Sequence, residues 1–312
     1  MTSPEQPNII RTSYLPALSN WDELTAMLPD AELSIDPSHQ TGLSQGRQSE
    51  VYIITNHEGD PTAWAELGTN WVLVWKRMAV HKQLSHDEAL RLQSSLRDYQ
   101  NNLYQAGWRL PALFASEVIN GDDGGFGIAC AEQFIPGGDG EILLKDPSAP
   151  EHRKQALVEE VIMTLYAPHT HGDLPRRVLA GKEVSALPYG LDLKPANIVL
   201  IEPEDLLFVI DVFGPKQIGD DGQWLTYFSK IDSLPAQSLQ AVTASREGAI
   251  LRFWRLSEQF WAGDSMNLKE RRAWMFDLLL AAGAPRQEVA FIADEISHGY
   301  PWLDEIYRES AV

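Results

Sequence analysis

The chain has 312 residues, 44% of them hydrophobic, and its 44 Asp and Glu against 25 Lys and Arg give a net charge of −19. That length and apolar fraction supply a core for one large domain or two lobes, and ten Trp, nine Tyr and ten Phe exclude a disordered chain. Both halves are acidic, so nucleic acid and anionic membrane surfaces are excluded as main partners, since each is recognised through Lys and Arg.

The single cysteine, Cys130, excludes a disulfide framework and any multi-cysteine metal site, and reads as a buried core thiol. Residues 1–7 lack the basic and apolar regions of a signal peptide. No apolar run approaches the roughly 20 residues that span a bilayer. A cytoplasmic protein is the resulting expectation.

Residues 1–40 are rich in Pro and Ser and read as an N-terminal arm, with one short helix expected at Trp21–Leu28. Residues 41–136 read as a sheet-rich segment. Glu50–Thr55 and Trp71–Trp75 are β-rich runs, the first ended by the turn signal His57-Glu-Gly-Asp-Pro61. Ser85-His-Asp-Glu88 has capping-box spacing, after which Leu92, Leu96, Tyr99, Leu103 and Ala106 recur at helical intervals. Gly107 ends that helix, with Pro111 just beyond. Strands are expected around Ala115–Val118 and Gly127–Phe134, joined by the hairpin turn Asn120–Gly125, and Ile135–Gly140 reads as a hinge.

Residues 137–312 turn helical. Glu151–Tyr166, Ser245–Trp261, Leu268–Ala282 and Pro285–Ser297 carry 3.6-residue apolar spacing, and Ile198–Ile201 with Leu206–Ile210 forms a small hairpin. The fold class is α+β.

One stretch carries chemistry: Leu191-Asp-Leu-Lys-Pro-Ala-Asn-Ile-Val-Leu200, then Phe208-Val-Ile-Asp-Val-Phe-Gly214. Asp192 and Asn197 stand five apart on a proline-stiffened loop, and Asp211 follows the next strand. Phosphoryl transfer needs a carboxylate to orient the acceptor hydroxyl, and an amide with a second carboxylate to hold Mg2+ on the phosphates. Lys194 is placed to neutralise charge on the transferring group.

These residues resemble the protein-kinase-like superfamily, in its atypical, small-molecule type found in bacteria. Asp192, Lys194, Pro195 and Asn197 match the catalytic-loop pattern D-x-K-P-x-N, and Asp211 matches the metal-binding Asp of D-F-G, here D-V-F-G. Leu43–Val51 is similar to the nucleotide-phosphate loop, with Ser44, Gly46, Ser49 and Val51 at its marked positions and only the middle glycine kept. Lys76, at the end of a valine-rich strand, stands where the phosphate-anchoring lysine does. Its acidic partner on the long helix is expected to be Asp98, with Glu88 as the alternative. Cys130–Gly138, including Glu132 and Phe134, looks like the linker strand that holds adenine.

The resemblance implies a two-lobed protein-kinase-like fold with a sheet-rich N-lobe and a helical C-lobe. It also implies ATP and Mg2+ as cofactors and a small-molecule or peptide hydroxyl as acceptor. A nucleotide-binding pseudokinase without turnover is the alternative, and nucleotidyl transfer a third reading. A rival motif, His169-Thr-His-Gly-Asp-Leu174, resembles the H-G-D-L of aminoglycoside-type phosphotransferases but has Val178 where a metal-binding Asn is needed. Gly190-Leu191 replaces His-Arg before the catalytic Asp, no A-P-E follows Asp211, and Pro215–Trp224 reads as too short and polar for a protein-substrate platform. Trp224, Trp254, Trp261 and Trp274 have the helical spacing of core residues, with an acceptor cleft as the other reading.

Overall fold

Strand-forming runs in the first half assemble a single antiparallel sheet in the computed structural model. The described residues are 33–35, 49–56, 72–121, 123–135, 137–167, 174–201, 205–232, 234–263 and 266–309. The strands are β1 (Leu33–Ile35), β2 (Ser49–Asn56), β3 (Val72–Met78), β4 (Leu113–Asn120) and β5 (Phe126–Gln133), in spatial order β1-β2-β3-β5-β4. Val, Ile, Tyr and Phe suit the pleated surface they occupy. In the central strand, Lys76 pairs with Val51 of β2 on one side and Cys130 of β5 on the other. The turn between β4 and β5 closes with the Gly121 N–H donating to the Gly125 carbonyl at 2.8 Å, within the glycine-rich segment expected to turn.

The stretch expected to be an arm contributes β1, whose Leu33 and Ile35 pair with Asn56 and Ile54. Three residues among prolines and serines give no period to read. The expected helix at 21–28 lies outside the described residues.

Helix α1 (His86–Gln105) starts at the expected capping box: Ser85 N–H donates to Glu88 Oε2 at 2.7 Å, and Glu88 N–H to Ser85 Oγ at 3.2 Å. Leu92, Leu96, Tyr99 and Leu103 are buried. Gly107, at φ +86°, supplies the left-handed turn that stops the helix.

The chain divides into two compact units, Met1–Gln93 with Pro111–Phe134 and Ser94–Leu110 with Ile135–Val312. The second contains α2 (Gly140–Lys145), α3 (Glu151–Tyr166), α4 (Ala236–Thr243), α5 (Arg246–Phe260), α6 (Leu268–Ala281), α7 (Arg286–Ser297) and α8 (Pro301–Glu309). It also carries two hairpins, β6 (Arg176–Leu179) with β7 (Lys182–Ser185) and β8 (Ile198–Ile201) with β9 (Leu206–Val209). The four helices expected from apolar spacing all form. The shorter α2, α4 and α8 and the β6–β7 hairpin lie in stretches too brief for a period to show.

Trp254 and Trp261 are core residues, and Trp254, Trp261 and Trp274 meet edge to face in sequence at 6.2 Å. The second unit also holds a polar cluster. Glu288, 1% exposed, accepts from Tyr166 Oη, Ser185 Oγ and both Nε and Nη2 of Arg246 at 2.6–3.0 Å. Every donor aimed at this carboxylate offsets its removal from water. Among the described residues no helix is long and apolar enough to cross a membrane.

Candidate active site

The loop that carries Asp192 is tied down on three sides within the second unit. The Gly190 N–H donates to the Lys216 carbonyl and the Leu191 N–H to the Thr243 carbonyl, each at 2.7 Å, while the Tyr99 hydroxyl donates to the Gly190 carbonyl. Burial, with the nearby Tyr189, Asp192, Asp211 and Asp232, raises the Tyr99 pKa and keeps its phenol a donor. A Cβ at position 190 would stand 2.8 Å from Thr243 Oγ1 and 2.9 Å from Lys216 Cβ. Only glycine lets these three segments converge.

Beyond Lys194 a single 3-10 turn, Pro195–Asn197, leads into β8. Pro195 opens the turn because its fixed φ suits that position and its missing N–H is not needed there. The turn carries Asn197 back onto the loop: its Nδ2 donates to the backbone carbonyl of Asp192 at 2.9 Å. At the far end of the hairpin, the Ile210 N–H donates to the Asn197 carbonyl at 2.8 Å, which brings Asp211 to the same end of the hairpin.

Asp192 lies between two cations. Lys194 Nζ is 2.9 Å from Oδ2 and Arg252 Nη2 is 2.8 Å from Oδ1. Oδ1 is shut off from solvent and lies out of line for a hydrogen bond from Arg252, so that contact is an ion pair. Burial alone would push this carboxyl up. The positive charges of Arg252, Lys194 and Lys216 outweigh it and hold the pKa at about 2. The side chain is 23% exposed, so the group is shielded yet reachable.

Asp211 Oδ1 accepts from the Phe213 N–H at 3.1 Å, and Gly214, at φ +68°, turns the chain after it. Among the described residues no three His, Cys, Asp or Glu side chains stand together as a metal cage. Asn197 and Asp211 fit a sparser site. With Nδ2 of Asn197 and Oδ1 of Asp211 committed, Asn197 Oδ1 and Asp211 Oδ2 remain as oxygen ligands. Mg2+ in phosphoryl-transfer sites takes one or two protein ligands and fills its octahedron with phosphate and water.

Two cations here were not anticipated. Lys216 is buried, its Nζ donating to the Gly214 carbonyl at 2.7 Å, although Pro215–Trp224 reads as polar. That segment folds inward: Gln217 bridges to Tyr189 and donates through Nε2 to the Ser95 carbonyl, and the Trp224 indole donates to the Ala236 carbonyl. Arg252 comes from the middle of α5.

The other candidate residues belong to the first unit, except Asp98, which lies on the part of α1 that belongs to the second. Lys76 is buried on β3, and its Nζ is 2.7 Å from Glu132 Oε2. In the β3–β5 register Lys76 opposes Cys130 and Val74 opposes Glu132, so the two charges share one face as diagonal neighbours. The expectation had been an acid from the long helix. Asp98 is exposed on α1 and Glu88 is engaged in its N-terminal cap. Glu132, expected to serve through its backbone, presents its carboxylate to the lysine. Phe134 is half-buried just past β5. Ser49 and Val51 lie on β2, whereas Ser44, Gly46 and the rival residues His169–Asp173 fall outside the described residues.

The fold is α+β, one antiparallel sheet and a mainly helical unit. No protein-family model and no curated protein matches the chain. Among solved structures it is similar to "WaaP in complex with acyl carrier protein", with 13% identity over 93% of this chain and 92% of that chain, at a TM-score of 0.43. A likeness that loose assigns no role to any residue.

Proposed function

We propose that the protein is an ATP- and Mg2+-dependent phosphotransferase whose acceptor is a hydroxyl of a small molecule or peptide. The observation that carries this reading is the state of Asp192. Its carboxylate is kept ionised between Lys194 and Arg252, and the Asn197 amide grips the same residue's backbone. A carboxylate with a pKa of about 2 is a weak base. It suits hydrogen bonding and aiming of an acceptor hydroxyl in a reaction where positioning and electrostatics dominate.

Lys194, partly exposed and within reach of Asp192, is the charge available to a transferring phosphoryl group. Asn197 and Asp211 would hold Mg2+, which when bound neutralises phosphate charge. Lys76, steadied by Glu132, would hold nucleotide phosphates together with the Gly46 loop. The residues Gly190-Leu191, in place of His-Arg, leave no arginine beside Asp192 in sequence to read a phosphorylated loop, so switching by that route is not expected.

The test is a mass-spectrometric screen of hydroxyl compounds and peptides incubated with ATP and Mg2+. A product heavier by one phosphate, absent with Asp192→Ala, is expected. An adenylate adduct would indicate nucleotidyl transfer. Nucleotide-dependent thermal stabilisation without any product would favour the pseudokinase reading. Equal product from the Asp192→Ala protein would overturn the role of Asp192.

A further inference from the structure

Arg252 is the contact to Asp192 that comes from outside the catalytic loop. It projects from α5, a helix capped by Ser245 Oγ accepting from the Gly248 N–H and buried along most of its length. Its side chain is only 13% exposed. Lys194, by contrast, is 38% exposed on a flexible stem two residues from Asp192, free to follow whatever occupies the site. A rigid planar guanidinium seated on a packed helix holds a carboxylate's orientation better than a mobile ammonium does.

The division of labour between the two carboxylate oxygens follows from burial. Oδ1, facing Arg252, is closed to solvent, while Oδ2 is held by Lys194. An acceptor hydroxyl therefore has one oxygen to approach. On the phosphotransferase reading, we infer that Arg252 is a positioning residue: it locks Asp192 through Oδ1 so that Oδ2 alone faces the acceptor. The loop's own residues do not supply this second hold. Asn197 grips the backbone of Asp192, not its carboxylate.

The experiment combines turnover with a cycle that needs none. For an acceptor found with ATP, Arg252→Met is expected to lower kcat about 100-fold with the KM for ATP unchanged, the size of loss that follows a misplaced reacting group. Arg252→Lys should recover part of that loss, and added guanidinium should partly rescue Arg252→Ala. A kcat for Arg252→Met within twofold of the parent would overturn the inference. So would a loss expressed wholly in the KM for ATP.

Urea unfolding of Arg252→Met, Asp192→Asn and the double variant decides the contact independently. Non-additive midpoint shifts support a lock on Asp192, and additive ones overturn it. If the unaltered protein transfers no phosphate to any acceptor, the phosphotransferase reading fails, while the unfolding cycle still tells whether Arg252 holds Asp192.

Discussion

Lys76 and Glu132 form an ion pair of 2.7 Å across two neighbouring strands, with side chains 11% and 3% exposed. Both charges have left water, and their mutual attraction offsets part of that cost. Replacing Glu132 with Gln should destabilise the protein by up to about 3–5 kcal/mol, because the buried ammonium loses the carboxylate at 2.7 Å. Chemical denaturation measures this. A Lys76→Met, Glu132→Leu double variant should regain most of the stability but not nucleotide-dependent thermal stabilisation. Full nucleotide response in that double variant would remove Lys76 from the nucleotide site.

Gly190 stands where three segments meet, and Gly190→Ala would push a methyl group toward Thr243 Oγ1, Lys216 Cβ and Trp224 Cη2. Overpacking of that kind costs about 1–3 kcal/mol. Because the residue lies next to Leu191 and Asp192, turnover should fall by more than the stability loss accounts for. Urea midpoints set beside single-turnover rates show whether it does.

The ionisation of Asp192 gives a pH signature in stability. Its pKa is about 2 in the folded chain and about 3.9 in an unfolded one. Stability from this group is therefore present above the unfolded value and lost as pH falls through the folded one. By linkage it amounts to about 2–3 kcal/mol at neutral pH. Asp192→Asn should be less stable than the parent by that margin at pH 7, and the gap should narrow steadily below about pH 4. A gap unchanged from pH 7 to pH 3 would contradict the charge clamp.

Glu288 binds together three parts of the helical unit, accepting from Tyr166, Ser185 and Arg246. Glu288→Ala leaves Arg246 buried without its carboxylate and should destabilise by about 3–5 kcal/mol. Tyr166→Phe removes one donor while the others stay, so a loss of about 1 kcal/mol is expected. Denaturation curves of the two variants, compared directly, test that ranking.

What could be read from the residues was local. Asp192, Lys194, Asn197 and Asp211 share one loop and the hairpin that follows it, so spacing alone groups them. The capping box of α1, the glycine that ends it and the apolar stripes of the long helices are likewise short-range signals. The pairing of Glu132 with Lys76 could not be read, because it depends on the β3–β5 register, which no local pattern encodes. Arg252 gives no mark at all: a charged residue within an apolar helix announces burial only once the helix is packed. Lys216 carries no mark either, because its neighbours in sequence are polar, whereas its Nζ lies against the Phe213 and Gly214 carbonyls.

The β8–β9 hairpin acts as a gauge for the spacing of the two candidate metal ligands. Four rungs, from Ile198↔Val209 to Ile201↔Leu206, and the Ile210–Asn197 hydrogen bond set where Asp211 emerges relative to Asn197. Deleting a single residue from either strand would slip the register and turn every following side chain to the opposite face. The hairpin is thus unforgiving along its paired length.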